Sequence, residues 1–403
     1  MKKDTLYFVI VLSLVVLLVG AFAVTLLPEL LSSGVPEEKE NSLGYGSNPV
    51  RGRVQEVLEE GQKQLGDLTQ EYQVLLVEIT EGEYQGLEFE VEYGRRQIRP
   101  EGLNLEKGDR VIVDITPGPD NVLQVRFLDY VRLKPLLILL GTFVTFSIVI
   151  SGWKGVRGLL GMGVSIAVIV YFIIPQILAG KDPVLVSVTG AFFLLAVSLY
   201  LIYGWAWKTH AAVLGTLLSL IITAFLADYF VQLTRLTGFG SEDALFLVQQ
   251  SSGGINIQGL LLGGMLIGAL GVLDDLVITQ ASVVFELNSL NPDLDLGDLF
   301  QRAMRVGQDH VAATVNTLVL AYAGAALPMF LLFSLSGDSL MHLLNLEYVA
   351  EEIVRTLVGS LGLISAVPLT TMLASWIVIQ YPELGGWKRH FGPLSRESEK
   401  HHH

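Results

Sequence analysis

The sequence predicts a polytopic α-helical membrane protein of about eight spans with a small extracytoplasmic β domain, an OB-like barrel. Three observations predict it. Hydrophobic residues make up 51% of the 403 positions and charged residues only 16%, with a mean hydropathy of +0.53, too apolar for a soluble globule. Apolar stretches long enough to cross a bilayer core of roughly 30 Å recur along the chain. One segment, Glu37 to Asp129, is instead acidic and alternates polar with apolar residues.

The apolar stretches run Tyr7–Leu31, Lys134–Gly152, Val156–Leu178, Pro183–Gly204, Thr209–Val231, Gln258–Leu287, Asp309–Phe333 and Tyr348–Ile379. The first exceeds a signal-peptide core of about 7–15 residues and reads as an uncleaved helix. Lys and Arg of short loops favour the cytoplasmic side. Lys2, Lys3, Lys154, Arg157, Lys208, Arg302, Arg305, Lys388 and Arg389 then fall inside, leaving Lys181 and Arg235 outside. Both termini are expected in the cytoplasm, with the acidic segment outside. The resulting division is 1–33 first helix, 34–133 β domain, 134–380 seven-helix bundle and 381–400 cytoplasmic tail; His401, His402 and His403 read as a purification tag.

Within the acidic segment, strands are expected near Val50–Val57, Tyr72–Ile79, Leu87–Glu92, Arg110–Thr116 and Val122–Val131, separated by turn signals such as Lys107-Gly108 and Pro117-Gly118. Five strands fit an OB-type barrel, and other five-stranded folds have the same pattern. The domain is either a passive cap or a binding module.

The formal net charge of −14 resides mostly in that segment, and no nucleic-acid partner is implied. Cysteine is absent, which excludes disulfides, thiolate nucleophiles and cysteine-ligated metals. The chain has no Gly-x-x-x-x-Gly-Lys-Ser/Thr phosphate loop, no Gly-x-Ser-x-Gly elbow and no His-Glu-x-x-His. No enzyme activity, cofactor or metal is therefore expected.

The chemistry concentrates in Gln258–Leu287. Steps of three or four residues put Gly264, Gly268, Gly271, Asp275, Thr279, Ser282 and Glu286 on one helical face. The glycines suit close helix packing, within the bundle or in a homo-oligomer. Asp275, sharing their face, is expected in a polar interior. Asp274 lies about 100° around the helix and needs a separate partner. A mid-membrane carboxylate costs at least ~2.5 kcal/mol to insert, so two in succession call for partners, water or protonation. Side chains of consecutive residues diverge, which argues against an aspartic-protease dyad. The next apolar helix supplies Asp309, His310, Asn316 and Thr317 as candidate neighbours. Histidine near a carboxylate exchanges protons readily at neutral pH, while Asp309 in a cap and His310 among headgroups is the structural alternative. Glu351 or Glu352 is spaced to pair with Arg355.

Gly268-Ala-Leu-Gly-Val-Leu-Asp-Asp through Gln280-Ala-Ser, and Gly307-Gln308-Asp309-His310 through Asn316-Thr-Leu-Val-Leu-Ala-Tyr322-Ala-Gly324, closely resemble the YibE/F-like family of bacterial membrane proteins. The layout of Tyr7–Ile379 is similar too. The resemblance implies a bacterial cell-membrane location and leaves the substrate open. A weaker similarity is to SecD/SecF and RND-type proton-driven proteins, whose intramembrane aspartates carry protons. Carried over, that role falls on Asp274 or Asp275, with Asn316 and Thr317 beside them; two extra helices and a single external domain depart from that pattern. The expected function is a secondary transporter, an exporter of an unknown small solute coupled to protons or small ions. The alternative is a non-transport factor handling proteins or envelope components through its outer domain.

Overall fold

The computed structural model describes residues 49–65, 68–95, 102–117, 123–251, 254–337, 339–381 and 394. The expected first helix, the cytoplasmic tail and the terminal histidines lie outside these residues. Two compact units divide the chain, Met1–Ile150 and Ser151–His403.

The first unit contains five strands, β1 Pro49–Leu65, β2 Leu68–Ile79, β3 Glu88–Tyr93, β4 Arg110–Pro117 and β5 Leu123–Tyr130. They close a barrel in the order β1-β2-β3-β5-β4, with β3 parallel to β5 and every other pair antiparallel, as the expected OB-type Greek-key barrel requires. Alternate residues point inward, so Val54, Leu75, Val77, Val91, Val111 and Val113 fill the core. β1 runs well past its expected end near Val57. Its outer half pairs with β2 as far as Leu65↔Leu68, in a hairpin whose Glu59, Glu60, Gln62 and Lys63 carry no apolar alternation. Gln73 is buried, and its amide bonds both backbone groups of Leu105 (2.8 and 3.1 Å), fixing the β3–β4 connection with a side chain in place of a strand.

Helix α1, Leu133–Val168, is interrupted at Gly152, whose φ of 57° and ψ of −133° are accessible to glycine without strain. A π turn, Ile169–Ile173, leads into α2 Ile174–Leu178. There follow α3 Pro183–Tyr203, α4 Trp207–Leu233, α5 Glu242–Gln250, α6 Ile257–Leu290, α7 Leu296–Ala325, α8 Leu327–Ser336, α9 Leu340–Leu343 and α10 Glu347–Gln380. Side chains cap several N-termini: Asp182 accepts from Leu185 N, Asn256 from Gly259 N and Asp295 from Asp298 N.

Five of these helices are long and apolar enough to cross a membrane, or six if α7 and α8, bent by 59°, form one span. The number differs from the expected eight for identifiable reasons. Leu133–Leu178 counts as one run of 46 residues, although its Gly152 break matches the boundary expected between two spans, and Tyr7–Leu31 is not described. Large apolar side chains point outward, among them Ile150, Leu185, Ile221, Phe225 and Leu335, as a lipid surround favours.

In the second unit α6 is central, packed against α3, α4 and α10 and, toward its C-terminus, α7. Leu195, Leu199, Leu266, Leu273, Leu276 and Leu363 fill the interior. The closest approaches place a hydroxyl directly over a glycine: Ser187 of α3 on Gly263 of α6, Thr370 of α10 on Gly215 of α4, and Thr223 of α4 on Gly362 of α10. A Cβ at any of these positions would overlap the hydroxyl oxygen. Lipid offers no hydrophobic drive between helices, so close packing and Cα–H···O contacts of this kind hold them together.

Adjacent glycines on α6 give the test. Gly263→Leu is expected to lower the melting temperature of the detergent-solubilised protein by the equivalent of about 1–3 kcal/mol, the usual cost of overpacking. Gly264→Leu, into open space, is expected to leave it unchanged.

Candidate functional site on helix α6

The face shared by Gly264, Gly268, Gly271, Asp275, Thr279, Ser282 and Glu286 is the least covered side of α6. The three glycines, Asp275 and Glu286 are exposed, and Thr279 and Ser282 are half-buried. Nothing lies within 4 Å of a Cβ built on Gly264 or Gly271, and only the Tyr322 hydroxyl, at 3.6 Å, comes near one on Gly268. These glycines were expected to suit close packing within the bundle or in a homo-oligomer; within the bundle, among the described residues, they meet no neighbouring backbone. That role belongs to Gly263, one residue away and turned toward α3.

The interior position expected for Asp275 falls to Asp274 for the same reason. Asp275 is exposed rather than enclosed, while Asp274 faces inward on the α3 side, its Oδ1 enclosed and without a hydrogen-bond partner. Tyr203, at the end of α3, lies within electrostatic range of both. Asp274 also sits close to the middle of the 34-residue helix, the level at which a carboxylate has least access to water.

The expected partners on α7 make no bond to the aspartates among the described residues. Asp309, Asn316 and Thr317 are exposed and His310 half-buried. Thr317 donates to its own helix at the Ala313 carbonyl (3.0 Å), and Ser282 on α6 does the same at Ile278 (2.8 Å). Among the described residues no hydrogen bond or ion pair joins either aspartate to Asp309, His310, Asn316 or Thr317, and no group of three or more His, Cys, Asp or Glu could hold a metal ion.

What ties α6 to its neighbours is a residue given no role in the sequence reading. Gln280 is 1% exposed, and its Nε2 donates to the Ala303 carbonyl of α7 (3.0 Å) and to Thr371 Oγ1 of α10 (2.7 Å). Gly307 of α7 packs directly on that amide. One side chain thus joins three helices where α7 crosses α6. A glutamine amid the apolar run of this helix was the available signal, together with a glycine in the next helix.

At the other end of the bundle, Glu352 pairs with Arg355 at 2.9 Å as its spacing suggested. Glu351 instead accepts from Gly240 N (3.2 Å), and Glu347 accepts from the Thr237 hydroxyl (2.6 Å) and Gly238 N (3.1 Å). The first turns of α10 hold the 237–240 loop in this way.

The span from α1 to α10 is also where a known family matches: the YibE/F-like protein family covers residues 139–380. The chain belongs to this family. The quoted segments of α6 and α7 lie inside the match, so the aspartate pair, Gln280 and Gly307 are all features of its YibE/F-like portion. No curated protein and no solved structure matches the chain, and the expected SecD/SecF and RND-type similarity finds no support.

Replacing Gln280 with Leu leaves the Ala303 carbonyl without this donor inside the YibE/F-like bundle. Loss of stability of about 1–3 kcal/mol is expected, seen as a lower melting temperature. Thr371→Val should cost less, since the carbonyl keeps its donor.

Proposed function

We propose that the protein is a proton- or cation-coupled secondary transporter of the bacterial cell membrane, with Asp274 as the group that exchanges the coupling ion. The observation carrying this reading is the enclosed, unpartnered Oδ1 of Asp274 halfway along α6. Such an oxygen needs a proton, a cation or water to offset its desolvation. Asp275, one residue on and exposed, supplies a second carboxylate through which an ion would reach it from the open face.

In this reading the chain crosses the membrane about eight times. Tyr7–Leu31 forms the first crossing, and the two parts of α1 cross separately on either side of Gly152. Both termini are cytoplasmic, the barrel lies outside, and movement is outward. The bend between α7 and α8 supports a transporter too, since discontinuous helices commonly flank such sites. The transported species is a small solute.

Proteoliposomes carrying a trapped pH-sensitive dye and an imposed pH gradient test the reading. Wild type is expected to pass protons. Asp274→Asn should stop the flux without lowering the melting temperature, and Asp275→Asn should slow it. Undiminished flux in Asp274→Asn would remove Asp274 from the mechanism.

A further inference from the structure

The barrel has one weak seam. β2 and β3 pair continuously from Gln73↔Tyr93 to Glu78↔Glu88, and β4 and β5 pair from Val111↔Tyr130 to Pro117↔Leu123 with one register shift at Ile112/Val113, but among the described residues β3 meets β5 at the single pair Glu92↔Arg126. On the N-terminal side of that pair both strands continue, as Glu88–Val91 and Leu123–Val125. Each is bonded on its far side and turns its near edge toward the other. A cleft of about 630 Å³ lies along this seam, with Val74, Leu123 and Val125 among its apolar lining and Glu90, Glu92, Arg95 and Arg126 among its charged lining.

We propose that this seam is a docking groove for an extended, basic peptide segment, which adds to a free strand edge and sets a lysine or arginine against Glu90. Unpaired strand edges are templates for another strand, and peptide recognition by strand addition takes its affinity from them and its specificity from side chains on either side. The four-residue edge Glu88–Val91 matches a segment of about four residues at roughly 3.3 Å each.

Charge selects the side chain. Arg95 bonds Glu92 (3.0 Å) and lies 3.4 Å from Glu59, with its guanidinium over the Tyr72 ring at 4.7 Å, so those two carboxylates already face a cation. Glu90 has neither ion pair nor hydrogen bond among the described residues, and it is exposed. A cationic side chain gains a partner there, whereas a polyanion such as a nucleic acid would meet the acidic surface of β1 and β3. The cleft's aromatic ring, Phe127, is only 7% exposed and offers no platform for a sugar. This inference does not depend on the transport reading.

The test uses the full chain in phosphatidylcholine nanodiscs and a fluorescent hexapeptide of alternating lysine and valine. Saturable binding is expected. N-methylation of alternate amides, which blocks strand pairing, and replacement of every lysine by glutamate should each weaken it at least about tenfold, or roughly 1.4 kcal/mol. Glu90→Lys, a surface change checked by an unaltered melting temperature, should reverse the preference toward the glutamate peptide. No binding of the lysine peptide, equal binding of its N-methylated form, or indifference to Glu90→Lys would each overturn the proposal. So would occupation of the groove by an oligosaccharide or a single-stranded oligonucleotide that the peptide fails to displace.

Discussion

The close seating of hydroxyls over glycines is the constraint on which the helical unit depends. Ser187 on Gly263, Thr370 on Gly215 and Thr223 on Gly362 bring α3, α4, α6 and α10 nearer than larger residues would permit, which multiplies the dispersion contacts available in lipid. Once α6 is fixed against three helices, its rotation about its own axis is fixed too. Gly263 must face α3 and Gln280 must face α7 and α10. The side remaining holds Gly264, Gly268, Gly271 and Asp275.

That rotation decides what was legible beforehand. All five strands and the described apolar helices were readable because a period of two, or a run of about 20 apolar residues, reflects the solvent each residue meets. The outer half of β1 was not, because a two-stranded ribbon with both faces wet has no apolar side to alternate. Within α6 the periodicity correctly grouped seven residues on one face. It could not say whether that face was covered. The three glycines suggested packing, but Gly263 and Gly264 are neighbours in sequence and about 100° apart on the helix, and the partner hydroxyl on α3 chooses between them. The relevant pattern was the match of a glycine on one helix with a serine or threonine on another, which a single strand of text does not align.

The same one-residue step separates the aspartates. Asp274 and Gly263 both turn toward the α3 side, so the packing that buries Gly263 also encloses Asp274 Oδ1. Asp275 shares the open side with Gly264. Two identical side chains, joined by one peptide unit, therefore meet different surroundings, the arrangement by which proteins give like groups unlike tasks.

The open face also constrains what can surround the unit. A carboxylate at mid-helix in contact with lipid tails would bear the full cost of a charge in hydrocarbon, and intramembrane acids face protein or a water-filled cavity for that reason. Asp275 is exposed among the described residues, and Asn316 and Thr317 of α7 are exposed as well. Water along this side would hydrate Asp275 and reach Asp274 through its neighbour, whereas a dry protein contact would demand partners that Asp275 does not have among the described residues. Of the two, hydration gives each polar atom a role and asks nothing more of the fold.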